Sequence, residues 1–106
     1  MHRLVSDEVF HFYMGNPVEM LQLFPDGKGK VITMGTDLKA EQSPQIIVPA
    51  GVWQGSRLAP GGAVALMGTT VAPGFDFADY ESGELEKLIQ QYPDFTTMIR
   101  ELTPAD

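Results

Sequence analysis

The 106-residue chain contains no cysteine. Disulfide frameworks and thiolate metal sites are therefore excluded, whatever the compartment. Positive charge is scarce: seven Lys and Arg stand against fourteen Asp and Glu, for a net charge of -7. The basic residues form no stripe, so nucleic acid is not an expected partner. No run approaches the ~18 apolar residues of a membrane span, and the first residues lack the apolar core of a secretory signal. The expected location is the cytoplasm, with no membrane partner. A phosphate-binding glycine loop, a dinucleotide glycine pattern and a metalloprotease helix motif are all missing. Ser6, Ser43, Ser56 and Ser82 lie in no nucleophile-elbow context, which leaves serine-hydrolase chemistry unsupported.

Hydrophobic residues make up 43% of the chain, an ordinary globular composition, and the length suits one domain spanning 1–106. Eleven glycines and eight prolines are scattered between apolar runs, as in a fold of short strands joined by turns. The acids are concentrated late: from Phe75 onward eight of them face only Lys87 and Arg100. That acidic end reads as a solvated helix face that aids solubility.

Two periods divide the chain. Glu8 to Tyr13 is an aromatic, β-branched run stopped by Gly15-Asn16-Pro17, a strand followed by a turn. Alternation places Glu8, Phe10 and Phe12 on one face and Val9, His11 and Tyr13 on the other. Val18–Phe24 and Lys30–Met34 flank Pro25-Asp26-Gly27 and read as a hairpin. Short strands follow at Gln45–Val48 and Gln54–Leu58, then the long Ala63–Val71, with close approach to its backbone expected at Gly68. Phe75–Tyr80 reads as extended. The opening Met1-His2-Arg3-Leu4 carries no strong local signal, and its terminal position predicts a mobile His2. After Ser82, a predicted N-cap, Leu85, Leu88 and Ile89 fall at helical spacing to about Gln91. Asp94 is predicted to cap a second short helix carrying Phe95, Met98, Ile99 and Leu102. Strands followed by terminal helices describe an all-β barrel or sandwich covered at one edge.

Three segments in order, DEVFHFYMG (Asp7–Gly15), PAGVWQG (Pro49–Gly55) and TVAPGFDFADYE (Thr70–Glu81), resemble the cupin superfamily. Within it they are similar to one subfamily of unassigned function in which glutamine at the position of Gln54 is usual. The first cupin motif ends in a glutamate, six residues and a glycine, which Glu8 and Gly15 match. The second keeps Pro49-x-Gly51. Gln54 stands where a histidine is usual, Leu58 where an asparagine is, and Ser43 at the leading glycine. The resemblance implies a double-stranded β-helix (jelly-roll) barrel over about residues 5–80, with short helices over about 82–102. Family members begin several strands earlier, and His2 matches the second motif histidine. The resemblance therefore implies that N-terminal strands are missing. A barrel without them has an open sheet edge, which proteins normally pair or cover, so a homodimer is expected.

The candidate site is the barrel interior: Glu8 as the catalytic carboxylate, and Phe10, Phe12, Gln54 and Thr70 as ligand-binding residues. Phe10 and Phe12 beside Glu8 predict a desolvated carboxyl with a raised pKa, suited to acid–base work. The resemblance also implies a possible metal set of His2, Glu8 and Gln54, giving a weakly bound divalent ion or no cofactor, because an amide oxygen is a poor transition-metal ligand. His11, on the opposite face, reads as a satisfied histidine at a sheet–sheet or subunit contact. Trp53 reads as core or interface, Asp76 and Asp79 as turn residues, and Arg57 as an outward surface charge. Three readings of the pocket stay open. One is acid–base chemistry on a small molecule, as in sugar isomerases and epimerases; another is a metal-dependent, oxygenase-like reaction. The third is non-catalytic metabolite binding, and a pocket retained for structure alone is compatible with the same fold.

Overall fold

Alternation within the aromatic run decides which way the molecule closes. In the computed structural model, residues 1–74 and 76–103 are described. Strands β1 (His2–Leu4), β2 (Asp7–Gly15), β3 (Val18–Leu23), β4 (Gly29–Met34), β5 (Gln45–Val48), β6 (Trp53–Leu58), β7 (Ala65–Ala72) and β8 (Tyr80–Ser82) precede helices α1 (Leu85–Gln91) and α2 (Thr96–Leu102). The strands form a five-stranded sheet, β4-β3-β6-β1-β8, and a three-stranded sheet, β5-β2-β7. Every named pair is antiparallel. The two sheets face each other as the halves of a jelly roll, which makes the fold all-β with short C-terminal helices. Among the described residues no helix is long and apolar enough to cross a membrane.

β3 shows why two layers of core are needed. Its inward residues Val18 and Met20 join Phe12, Met34, Ile46, Val48 and Val52 between the sheets. Its other face, Leu21 and Leu23, packs with Met1, Trp53, Leu88, Tyr92 and Ile99 beneath the helices. A strand buried on both faces must be apolar throughout, and the run VEMLQL is broken only by Glu19 and Gln22. Each such Leu or Ile side chain contributes about 1.5–3 kcal/mol by leaving water. The β3–β4 hairpin runs in register from Val18 opposite Met34 to Leu23 opposite Gly29. Gly27 takes a φ of 87° in its turn, open to glycine at no steric cost.

The helical cap sits on the outer face of the larger sheet because that sheet has a hole for it. Gly55 faces α2, and a Cβ there would lie 3.2 Å from Leu102 Cβ and 2.5 Å from Met1 Sδ. Tyr92 closes the cap by donating its hydroxyl hydrogen to the Phe24 carbonyl at 2.6 Å. Burial pushes the Tyr92 phenol above its ordinary value. Arg57 does face outward, but toward this cap, where it pairs with Glu19 at 3.2 Å and with Glu101. It is not a lone surface charge.

Several local expectations are corrected. Met1 is buried and residues 2–4 form β1, inserted between β6 and β8 by pairing His2 with both Gln54 and Ser82. Ser82 is thus a strand residue and not an N-cap; Glu84 holds that position, with no side-chain cap bond. Residues Phe77–Asp79 form a 3-10 turn in place of an extended run, with the Asp76 carboxylate accepting from the Ala78 amide at 2.9 Å; Phe75 lies outside the described residues. Pro93–Phe95 is likewise a 3-10 turn, so Asp94 sits inside it and α2 starts at Thr96. Proline presets the φ of such a turn, which overrides the capping tendency of the aspartate beside it.

Candidate functional site

Glu8 is placed by strand pairing. On β2 it stands opposite Val48 of β5 and Val71 of β7, at the centre of the three-stranded sheet, and points inward. Phe10 and Phe12 follow on the same face and pack into the core between the sheets, Phe12 as a buried member. Across the interior, β6 presents Gln54, whose Cα is paired with His2 on one side and Gln22 on the other. Gln54 Nε2 donates to Glu8 Oε1 at 2.6 Å, and Thr69 Oγ1 donates to Glu8 Oε2 at 2.6 Å. His2 Nε2 lies 3.9 Å from Glu8 Oε1. Its ring stacks on Tyr80 of β8, with centroids 5.1 Å apart and planes at 17°. Strand pairing and this stack hold His2 in place, so it is not the mobile terminal residue its position predicts.

Glu8 is 7% exposed, and Gln54 is 1% exposed. Burial pushes the Glu8 carboxyl up, but the interactions with His2, Thr69 and Gln54 outweigh it. The carboxyl is held below the ordinary glutamate range, which corrects the raised value expected from its aromatic neighbours. Desolvation does act on it, but the groups that answer it come from three other strands. At neutral pH Glu8 is an ionised carboxylate with both oxygens engaged.

Thr70 is not in the site. It pairs with Val9, on the outer face, and its hydroxyl lies 3.2 Å from His11 Nε2. Thr69, its neighbour, carries the inward hydroxyl. The bulge in the β2–β7 pairing falls between Phe12 and Met14, beyond His11, so His11 keeps the face opposite Glu8. Tyr13 at that bulge covers Gly68, where a Cβ would meet its hydroxyl oxygen at 2.8 Å. Trp53 faces the helical cap, with the Arg3 guanidinium 4.3 Å from its ring centroid. Three neighbours of the site were not foreseen: Thr69, Tyr80 and Gln22. Gln22 is 1% exposed and donates its amide to the Ile47 carbonyl at 3.3 Å. A glutamine on the inward face of a strand that is apolar apart from it and Glu19 is the signal that points to it.

The donor set does not suit a resident transition metal. His2 and Glu8 bring the imidazole and the carboxylate, but the third position offers only the Gln54 amide, whose nitrogen is turned to Glu8. Among the described residues no group of three or more His, Asp and Glu side chains converges. Imidazole and carboxylate sets of at least three are the usual holders of such ions.

A family profile described as Cupin superfamily (DUF985) matches residues 1–83. Among solved structures, Protein SO0799 from Shewanella oneidensis superposes with a TM-score of 0.90 at 33% identity, over 99% of this chain and 66% of that one. A hypothetical protein from Leishmania major does so with a TM-score of 0.87 at 26% identity, over 98% and 68%. The uncharacterized protein YML079W of Saccharomyces cerevisiae is 31% identical over 77 residues, 70% of this chain and 38% of its own length. The chain thus spans less than half the yeast protein and about two thirds of the Shewanella one.

Proposed function

The chain belongs to the cupin superfamily, in the family described as DUF985, and from that premise we propose that its interior binds a small hydroxyl- or carbonyl-bearing molecule and performs acid–base chemistry on it, of the isomerase or epimerase type. The observation that carries this reading is the Glu8 carboxyl, buried between Gln54 and Thr69 with the His2 imidazole 3.9 Å away. Imidazole is the side chain that takes up and releases protons near neutral pH. Glu8 fixes its negative charge beside that ring and accepts a ligand hydroxyl; His2 moves the proton. Gln54 and Thr69 hold the carboxylate in one orientation, which is the preorganisation such a site needs. A sugar-type ligand is the version favoured by hydrogen-bonding groups gathered around one fixed charge.

The test is deuterium exchange in D2O at the carbon next to the carbonyl, across a panel of α-hydroxy aldehydes and ketones, followed by proton NMR. Wild-type protein is expected to exchange at least one of them, with a loss of ~100-fold or more in His2→Asn and Glu8→Gln. Binding without exchange across the panel would replace the catalytic reading by a metabolite-binding module. The open edges of β5 and β7, with Ile47 and Leu66 exposed beside them, support a homodimer; light scattering giving the mass of one chain would remove that part.

A further inference from the structure

An open cavity of about 490 Å3 lies where the two sheets part between β6 and β7. Its wall includes Val18, Ser56, Leu58, Val64, Ala65 and Met67. None of these six carries a charge. Arg57 reaches its rim, but that guanidinium is already paired with Glu19 and Glu101, so it offers no free cation for an acidic ligand. The volume falls within the 300–1,000 Å3 typical of small-molecule sites.

Strand geometry sets this cavity and Glu8 along one inner face. Ser56 lies two residues beyond Gln54 on β6, and Met67 two residues before Thr69 on β7. Two residues along a strand return to the same face about 7 Å away. Met67 also stands opposite Phe12, the inward residue next but one to Phe10 on the strand that carries Glu8. The groups that hold the carboxylate and the groups that line the cavity are therefore successive inward positions of the same two strands.

We propose that this cavity is the second half of the Glu8 site and receives the uncharged apolar body of a ligand whose hydroxyl reaches Glu8. The ligand class is then an alcohol or hydroxy-carbonyl compound with an aliphatic or aromatic tail, which narrows the sugar-type reading to substrates bearing an apolar substituent. The inference rests on Glu8 being the ligand-facing carboxylate, and the experiment separates the two.

The probes are the primary n-alkanols from ethanol to octan-1-ol, titrated into wild-type protein. The readouts are the Met67 ε-methyl and Glu8 side-chain carboxyl resonances. Both signals are expected to move, with Kd falling about fourfold per added methylene until the cavity is full. Ala65→Phe, which plugs the cavity, is expected to abolish the chain-length gain while ethanol still moves Glu8. Should that variant not fold, Met67→Ala enlarges the cavity and is expected to shift the plateau to a longer alcohol. A flat chain-length series while ethanol still moves Glu8 overturns the cavity assignment alone. A Glu8 resonance unmoved by every alcohol, ethanol included, overturns the Glu8 reading and the inference with it.

Discussion

Replacing Thr69 by valine isolates the bond that distinguishes the inward from the outward threonine. Thr69 donates to Glu8 Oε2 at 2.6 Å, whereas the Thr70 hydroxyl lies on the outer face, 3.2 Å from the half-buried His11. Valine keeps the shape and removes the donor. A hydrogen bond to a charged group contributes about 1.5–3 kcal/mol, and the exposed position of Thr69 puts the loss at the low end, about 1.5 kcal/mol at neutral pH. For a chain of this size that corresponds to a Tm lower by roughly 6–12 °C. Thr70→Val is expected to cost about 0.5 kcal/mol or less. The pH dependence follows from the direction of the Glu8 shift. Its carboxyl is held below the ordinary glutamate range in the fold, so its contribution is present above the unfolded value and is lost as pH falls through the folded one. Thr69→Val moves the folded value upward, so the gap between variant and wild type shrinks as the solution is acidified. Urea unfolding at neutral and acidic pH, with carboxyl NMR of Glu8, measures both effects. Equal losses for the two valine variants, or a Glu8 titration unchanged by Thr69→Val, would refute the assignment.

Gln54→Leu leaves Glu8 Oε1 without its 2.6 Å donor in the interior; a loss of about 2–3 kcal/mol and an upward move of the Glu8 titration are expected by the same two methods. Tyr92→Phe removes the bond to the Phe24 carbonyl and should cost about 1 kcal/mol in urea unfolding. Because burial raises the Tyr92 phenol, the wild-type contribution persists below the unfolded tyrosine value and is lost as pH rises through the folded one, so the variant should be the flatter of the two in alkali. Gly55→Val forces a side chain into the space held by Met1 and Leu102; a destabilisation of about 1–3 kcal/mol is expected, read from the fluorescence of Trp53 beneath the same cap.

How much of this molecule can be read from residues alone depends on whether a signal is local. The alternation Glu8-Phe10-Phe12 against Val9-His11-Tyr13 is local: side chains in a strand have period two, so one face must be shared. The hairpin around Pro25-Asp26-Gly27, the strand stop at Pro49 and the helical spacing of Leu85, Leu88 and Ile89 are of the same kind, and all stand in the fold. The pairing of Glu8 with Gln54 follows from two inward faces meeting across one interior. β7 is different. The run ALMGTTVA mixes small and apolar residues with no alternation, so its parity is open in the sequence and Thr70 is as plausible an inward residue as Thr69. Register with β2, set by Phe10 opposite Thr69, decides it. His2 belongs to a strand of only three residues, too short to announce itself, and exists as one because Gln54 and Ser82 border it. The charge of Glu8 is the last case. Its aromatic neighbours are written beside it in the chain, but the donors that keep it ionised come from β1, β6 and β7. Sequence by itself determined the strand periods, the turns and which carboxylate faces inward. Only the tertiary structure decided the register, the partners and the protonation state, because each depends on groups that folding brings together from distant parts of the chain.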